Sequence, residues 1–121
     1  RIIFNGDLLT FADFNREHER CLSFLKDAVS CSKARRKIVV THHVPSFQMQ
    51  CPKFADSQAN GAFTVELEEY IKNSGIDYWI FGHSHYNVDV KIGNTNCVSN
   101  QLGYVFHGEH ESFNPGKYIE V

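Results

Sequence analysis

Two short apolar runs, each followed directly by a pair of histidines, constrain the fold of this chain most. The first is the segment 38–43 and the second is the segment 77–85. Their apolar parts show no alternation of polar and apolar residues, which is typical of strands that are buried on both faces. A stretch with helical spacing precedes each run. The order of helix, strand and histidines therefore occurs twice, which predicts an α/β sheet with parallel neighbouring strands.

Histidines occupy the carboxyl ends of both predicted strands. They are His42 and His43 after the first strand, and His83 and His85 after the second. In open α/β sheets the residues just beyond these strand ends line the ligand crevice, so both pairs are expected on one edge of the sheet. Neutral imidazole is a ligand that suits zinc, iron, manganese and nickel. Because His83 and His85 are separated by one residue, we expect them to address two neighbouring metals, an arrangement that favours displacement at phosphorus.

Two amphipathic helices are predicted before the two strands. Thr10 and Asp13 form a capping arrangement in front of a stretch with apolar residues at helical spacing, so we expect a core-facing helix of about five turns there. The segment 63–74 has similar spacing, with Thr64 near its start and Gly75 in the position of a C-terminal cap. Each helix leads into one of the predicted strands, as a parallel sheet requires.

The hydrophobic pattern changes to a period of two beyond the second histidine pair. Apolar residues alternate over 88–92, a Gly-Asn pair fits a two-residue hairpin turn, and the segment 96–99 returns. This pattern predicts an antiparallel ribbon. A further short strand is expected at 103–106, and an edge strand at 118–121 closes the chain.

Two other segments have more than one interpretation. Residues 1–4 predict a strand that stops at the turn residues 5–7, where Asp7 is either a turn cap or a carboxylate presented to a metal. The segment 47–61 shows no periodicity and is long for a loop in a compact domain. It is either a lid or specificity loop over the histidines or a plain insertion.

Composition and charge restrict the possible function classes. With 121 residues and 42% hydrophobic content, the chain is expected to form a single unit, residues 1–121, around one core. A net charge of −2 and a pI near 6.4 provide no general surface for nucleic acid or for an anionic membrane. No apolar run approaches the ~20 residues of a membrane span. The four cysteines include no C-x-x-C pair, so we expect reduced, packed thiols and a cytoplasmic protein.

The two histidine motifs resemble those of a known family. The segments V-T-H-H-V-P at 40–45 and F-G-H-S-H at 81–85 are similar, in their order and separation, to the last two metal-binding motifs of the calcineurin-like metallophosphoesterase superfamily. The similarity extends over most of the chain. It implies an α/β fold, the C-terminal half of an α/β/β/α sandwich, in which buried strands alternate with helices and an antiparallel ribbon follows. It also implies a phosphatase or phosphodiesterase that hydrolyses phosphate esters at a dinuclear metal centre.

The resemblance implies a role for each of the four histidines. His42 would bind the second metal together with His83, and His85 would bind the first metal. His43 would be a catalytic residue that faces the substrate, or it would support the metal ligands. The alternative that His43 replaces His42 as the ligand stays open. The implied cofactors are two divalent or trivalent metal ions, of manganese, iron or zinc.

Three motifs of the family are absent from this sequence. The family supplies an Asp-x-His near its N-terminus, a Gly-Asp whose carboxylate bridges both metals, and an Asn-His pair that binds the phosphate. Gly6-Asp7 lacks the downstream acid and the Asn-His segment that would follow the bridging motif. We therefore expect the chain to be the C-terminal portion of a longer protein, to need the missing N-terminal part as its partner, and to be inactive alone. His107 and His110 match no family motif and are expected on the surface.

Two other hypotheses stand beside the phosphoesterase. In the first, the chain is a non-catalytic metal-binding or protein-interaction module that keeps the fold. In the second, both histidine pairs are only packed strand ends. Each buried imidazole would then need several hydrogen-bond partners, and this requirement counts against that interpretation.

Overall fold

The computed structural model describes residues 2–4 and 6–121, which form two compact units. The first unit is Arg1–Lys33 and the second is Ala34–Val121, and each is described by itself. The sequence analysis predicts that all 121 residues form one unit. This assignment of both parts to one domain stays a prediction. The parts of the predicted N-terminal strand and turn that involve Arg1 and Asn5 lie outside the described residues.

The first unit contains a small hairpin followed by a long helix. Strand β1, Ile3–Phe4, pairs antiparallel with β2, Asp7–Leu8, and helix α1 is Phe11–Cys31. The predicted cap is confirmed, because Asp13 N–H donates to Thr10 Oγ1 at 3.1 Å and Thr10 N–H donates to Asp13 Oδ2 at 3.1 Å.

Within the first unit, α1 leaves most of its apolar side uncovered, so this unit by itself does not supply the core that the helix is predicted to face. Phe11 is 91% exposed and Phe24 is 75% exposed. Within α1, Val29 is the residue that is buried. A hairpin of two short strands has too little surface to cover the apolar side of a helix of 21 residues.

The second unit is built around a four-stranded sheet. Its elements in chain order are β3 Ile38–Val40, α2 Glu68–Asn73, β4 Tyr78–Phe81, β5 Val90–Ile92 and β6 Thr95–Ser99. The strand order across the sheet is β3-β4-β6-β5. Strand β4 pairs parallel with both β3 and β6, whereas β5 pairs antiparallel with β6. The predicted parallel pair, antiparallel ribbon and mixed α/β architecture are thus confirmed.

The register of β3 against β4 decides where the histidines emerge. Val40 lies opposite Ile80, so the two strands end at the same height. The pairing continues just beyond the strands, because Thr41 N–H donates to Ile80 O at 3.0 Å and Gly82 N–H donates to His42 O at 3.1 Å. Both histidine motifs therefore leave the same edge of the sheet.

An acid fixes this register at the opposite end of the two strands. Asp77 accepts hydrogen bonds from Lys37 N–H at 2.8 Å and from the Arg36 guanidinium at 2.7 Å. The Lys37 hydrogen bond first, and then the Arg36 hydrogen bond, lower the pKa of Asp77. The carboxylate thus stays ionised and joins the start of β3 to the start of β4.

The core of the second unit centres on Trp79 in β4. Its side chain is fully buried, and it lies opposite Cys97 of β6, which is also fully buried. Burial raises the pKa of the Cys97 thiol to about 11. Ile71 of α2 and Ile76 add further buried apolar surface. This core therefore buries one face of β4, the strand that leads into Gly82.

The structure corrects the prediction that β3 is buried on both faces. Val39 is buried, but Ile38 is 43% exposed and Val40 is 70% exposed. Side chains alternate across a strand, so Ile38 and Val40 share the face opposite to Val39, and that face of β3 is the exposed one.

The predicted start of the second helix is also wrong. Helix α2 begins at Glu68, whereas Thr64 forms an isolated parallel bridge with Val44. The bridge gives the backbone of this segment an alternative to helical hydrogen bonds, since Val44 N–H donates to Phe63 O at 3.0 Å. Gly75 after the helix has a φ of +67°, which confirms its predicted place at the C-terminal cap.

The chain beyond β6 contains no further strand in the described residues, contrary to the predictions for 103–106 and 118–121. Instead, Val105–His107 and Glu109–Ser112 form 3₁₀ turns. Gly103 has a φ of +63°, a left-handed conformation that interrupts an extended run. The predicted hairpin turn is confirmed, because Gly93 has a φ of +59° between β5 and β6.

All four cysteines are free thiols in the described chain. Cys97 is buried as predicted, whereas Cys21 and Cys31, which both lie in α1, are exposed within the first unit. None of the described helices combines the length and the apolar character that a membrane crossing requires.

Candidate metal centre

Three imidazole rings converge at the carboxyl ends of β3 and β4. The ring centroids of His42 and His83 are 4.6 Å apart, those of His43 and His83 are 4.7 Å apart, and those of His42 and His43 are 5.3 Å apart. The closest atoms are His42 Nε2 and His83 Nδ1, at 2.8 Å. The structure therefore brings together three of the four histidines that the sequence singled out.

The contact between His42 and His83 is a hydrogen bond, so one of the two nitrogens donates a proton and the other accepts it. A metal ion that binds both nitrogens needs an unshared lone pair on each of them. Metal binding therefore displaces this proton. Imidazole nitrogens suit divalent transition metals, so the chemistry of the donors fits such an ion. In the part of the chain that the structure describes, however, no group of three or more His, Cys, Asp or Glu side chains is already arranged to hold one.

The surroundings of His83 favour its neutral form. Burial, followed by the nearby rings of His43, His42 and His85, lowers the pKa of His83. The ring of Phe63 lies 4.7 Å from that of His83 and contributes to its covering. A neutral imidazole keeps one nitrogen lone pair, which is the form that binds metals.

The backbone of the second histidine motif has an unusual conformation. His83 has a φ of +70° and His85 has a φ of +50°, both in the left-handed region that residues with a Cβ rarely adopt. Such a conformation costs on the order of 1–3 kcal/mol per residue and persists only when the surroundings impose it. Residues of this kind cluster at functional sites, which makes the segment a candidate site on backbone grounds alone.

The side chain of Gln101 holds this strained segment. Gln101 Oε1 accepts a hydrogen bond from His85 N–H at 2.8 Å, and Gln101 Nε2 donates to Ser84 Oγ at 3.2 Å and to Tyr86 O at 3.0 Å. One amide thus contacts three successive residues of the motif and fixes its turn.

His85 has a different set of neighbours from His83. Its Nδ1 lies 2.9 Å from Glu109 Oε2, and its ring packs edge-on against Tyr104 with centroids 4.7 Å apart. Glu109 Oε2 also accepts a hydrogen bond from Tyr104 N–H at 2.6 Å. The Tyr104 hydrogen bond first, and then the His85 contacts, lower the pKa of Glu109. The two histidines of the motif therefore present their rings to separate surroundings.

Glu109 is a site residue that sequence reasoning missed. It lies 24 residues after His85 and in a 3₁₀ turn, where neither helical nor strand periodicity indicates a partner. Its neighbours His107 and His110 are exposed, as predicted.

The core holds the first histidine pair through a short chain of hydrogen bonds. Trp79 Nε1–H donates to Thr41 Oγ1 at 2.9 Å, and the Thr41 hydroxyl donates to His43 O at 3.0 Å. Because Trp79 is fully buried, the turn at His42 and His43 is connected directly to the best-packed residue of the sheet. The alternative that Asp7 presents its carboxylate to a metal, and not only to its own turn, stays untested, since Asp7 belongs to the first unit.

Comparison with known proteins agrees with the motifs. The sequence profile described as calcineurin-like phosphoesterase matches residues 2–87. An uncharacterized protein of Acanthamoeba polyphaga mimivirus is 29% identical over 120 residues, which cover 93% of this chain and 41% of that protein. The chain thus spans less than half the length of this relative. No solved structure matches the chain.

Proposed function

Since this chain belongs to the calcineurin-like phosphoesterase family, we propose that it contributes the histidine side of a dinuclear metal centre that hydrolyses phosphate esters. Proteins of this family are hydrolases that generally use divalent metals. The observation that carries the proposal is the convergence of His42, His43 and His83 from two neighbouring strand ends. Packed strand ends have no need of three imidazoles in mutual contact, whereas a metal site does.

We assign His42 and His83 to one metal and His85 to the other. The 2.8 Å contact between His42 Nε2 and His83 Nδ1 supports the first assignment, because the two nitrogens are already adjacent. The separate surroundings of His85 support the second, since its Nδ1 is held by Glu109 and its Nε2 is available for another partner. The alternative that His43 takes the place of His42 as a ligand stays open.

Bound metals would supply positive charge that activates a water and neutralises the phosphate oxygens. Manganese, iron and zinc are the ions that the donor chemistry favours. His43 would serve as a catalytic residue that hydrogen-bonds the substrate phosphate, because its ring lies next to both His42 and His83. Three imidazoles bring no negative charge, so holding two dications together requires carboxylates from elsewhere in the whole protein.

The proposal is tested with the full-length protein and two simple substrates, p-nitrophenyl phosphate and bis(p-nitrophenyl) phosphate. After loading with Mn²⁺ or Zn²⁺ we expect hydrolysis of at least one of them, loss of that activity on treatment with EDTA, and recovery when the metal is restored. The relative rates distinguish a phosphatase from a phosphodiesterase. Absence of hydrolysis with every metal tried, by a folded protein that binds the metal, would rule the proposed reaction out.

A non-catalytic metal-binding module is the second candidate. It is favoured by the lack of a carboxylate in contact with the His42 and His83 rings among the interactions described, because holding two dications together needs negative charge. The same experiment separates the two candidates. Metal binding that is lost with the histidines, but without any turnover, supports the module.

A further inference from the structure

The contact between His85 and Glu109 points to a role that the family match does not assign. We propose that Glu109 is a positioning residue for His85: its carboxylate keeps the imidazole proton on Nδ1 and thereby leaves Nε2 free to bind a metal. This inference rests on the proposed function in so far as His85 is a metal ligand. The position of the His85 proton on Nδ1 does not depend on metal binding.

The chemistry of the two groups determines where the proton lies. An ionised carboxylate only accepts hydrogen bonds, so at 2.9 Å from Glu109 Oε2 the Nδ1 of His85 must be the donor. A neutral imidazole carries one proton, and Nε2 then has an unshared lone pair. Metal-binding histidines in proteins almost always have their second nitrogen held in this way by a carboxylate or a carbonyl.

Glu109 is itself fixed rather than free to swing. Its Oε2 also accepts the Tyr104 N–H at 2.6 Å, which ties the carboxylate to the backbone. The Tyr104 ring packs edge-on against the imidazole, with an interplanar angle of 84°. The carboxylate and the tyrosine ring therefore restrict the His85 side chain on two sides.

Gly103 provides independent support, because its small size makes room for this arrangement. A Cβ at residue 103 would lie 2.6 Å from Glu109 Cβ, 2.8 Å from Glu109 Oε2 and 3.2 Å from His85 Cβ. Distances below 3.0 Å between such atoms require displacement of one partner. The φ of +63° at Gly103 adds a backbone reason for glycine at this position.

The contact has little value as a surface ion pair. The side chains of His85 and Glu109 are each 31% exposed, and pairs that reach solvent contribute at most about 1 kcal/mol. What the contact does determine is the direction of the His85 ring and the nitrogen that carries its proton. Orientation is therefore the effect to measure.

The tautomer of His85 is read directly by long-range ¹H–¹⁵N NMR of the metal-free, histidine-labelled full-length protein near neutral pH. We expect the His85 signals of the Nδ1–H tautomer in the wild type and in Glu109→Gln, whose amide oxygen still accepts the hydrogen bond. Glu109→Ala and Gly103→Ala should move the proton partly or wholly to Nε2. Glu111→Gln is the matched control, because it removes the same charge from the same 3₁₀ turn without touching His85.

A second readout is Zn²⁺ affinity, measured by competition with a chromophoric chelator. Loss of a group that holds a ligating histidine typically weakens metal binding about 10–100-fold, which we expect for Glu109→Ala but not for Glu111→Gln. A wild-type His85 with its proton on Nε2, or an unchanged tautomer in folded Glu109→Ala, overturns the inference. A protein with the expected tautomer that binds Zn²⁺ but shows no hydrolysis contradicts the proposed function and leaves the role of Glu109 supported.

Discussion

Replacing His83 with alanine in the full-length protein is expected to lower kcat/KM for phosphate-ester hydrolysis at least about 100-fold. Loss of a group that only supports a ligand already costs about 10–100-fold, and His83 is assigned as a ligand itself. It is also the ring that contacts both His42 and His43, so its removal leaves the other two without their common neighbour. The measurement is steady-state hydrolysis of p-nitrophenyl esters at saturating Mn²⁺ or Zn²⁺.

His110→Ala is the control for this experiment. His110 is exposed and has no assigned role, so its loss should leave kcat/KM unchanged. Circular dichroism of both variants verifies that the fold persists. If folded His83→Ala keeps the activity of the wild type, His83 is not a ligand of the reacting metal, and the assignment of the histidine cluster fails.

Replacing Trp79 with alanine is expected to lower the free energy of unfolding by about 3–5 kcal/mol. Trp79 is fully buried in the central strand β4, and truncation there leaves a large cavity. The change also removes the Nε1–H that donates to Thr41 Oγ1, and with it the connection between the core and the turn at His43. Because the change removes the single tryptophan of these 121 residues as a fluorescence probe, the measurement is urea unfolding followed by far-UV circular dichroism.

Trp79→Phe separates the two contributions. Phenylalanine keeps most of the buried ring but lacks the donor, so we expect a smaller loss, on the order of 1–2 kcal/mol from the hydrogen bond together with the reduced volume. A loss below about 1 kcal/mol for Trp79→Ala would mean that Trp79 is not the centre of the core, contrary to its complete burial.

The strands and the ribbon could be predicted because local hydrophobic patterns in the sequence determine them. The uninterrupted apolar run before His42 and the run before Gly82 indicate strands, and parallel pairing then follows from the helical crossover that joins them. The period of two around Gly93 indicates the ribbon in the same way. The convergence of the histidines is a consequence of the register between Val40 and Ile80, which no local pattern in the sequence indicates.

The features that the sequence did not reveal depend on contacts between distant residues. Helix α2 is shorter than predicted because Thr64 bridges to Val44, and no local pattern encodes that bridge. Glu109 reaches His85 from a 3₁₀ turn that follows Gly103. In such a turn the spacing of residues along the chain does not indicate where a side chain points. The left-handed backbone of His83 and His85 is likewise imposed by tertiary hydrogen bonds and not by residue preference.

The most direct test of the histidine metal centre is anomalous scattering from crystals of the full-length protein grown with Zn²⁺. Data collected on both sides of the zinc absorption edge locate the ion without reference to any assumed ligand. We predict anomalous peaks about 2.0–2.1 Å from ring nitrogens of His83 and His85. Zinc bound elsewhere, with both of these rings free of it in a protein that hydrolyses phosphate esters, would contradict the account.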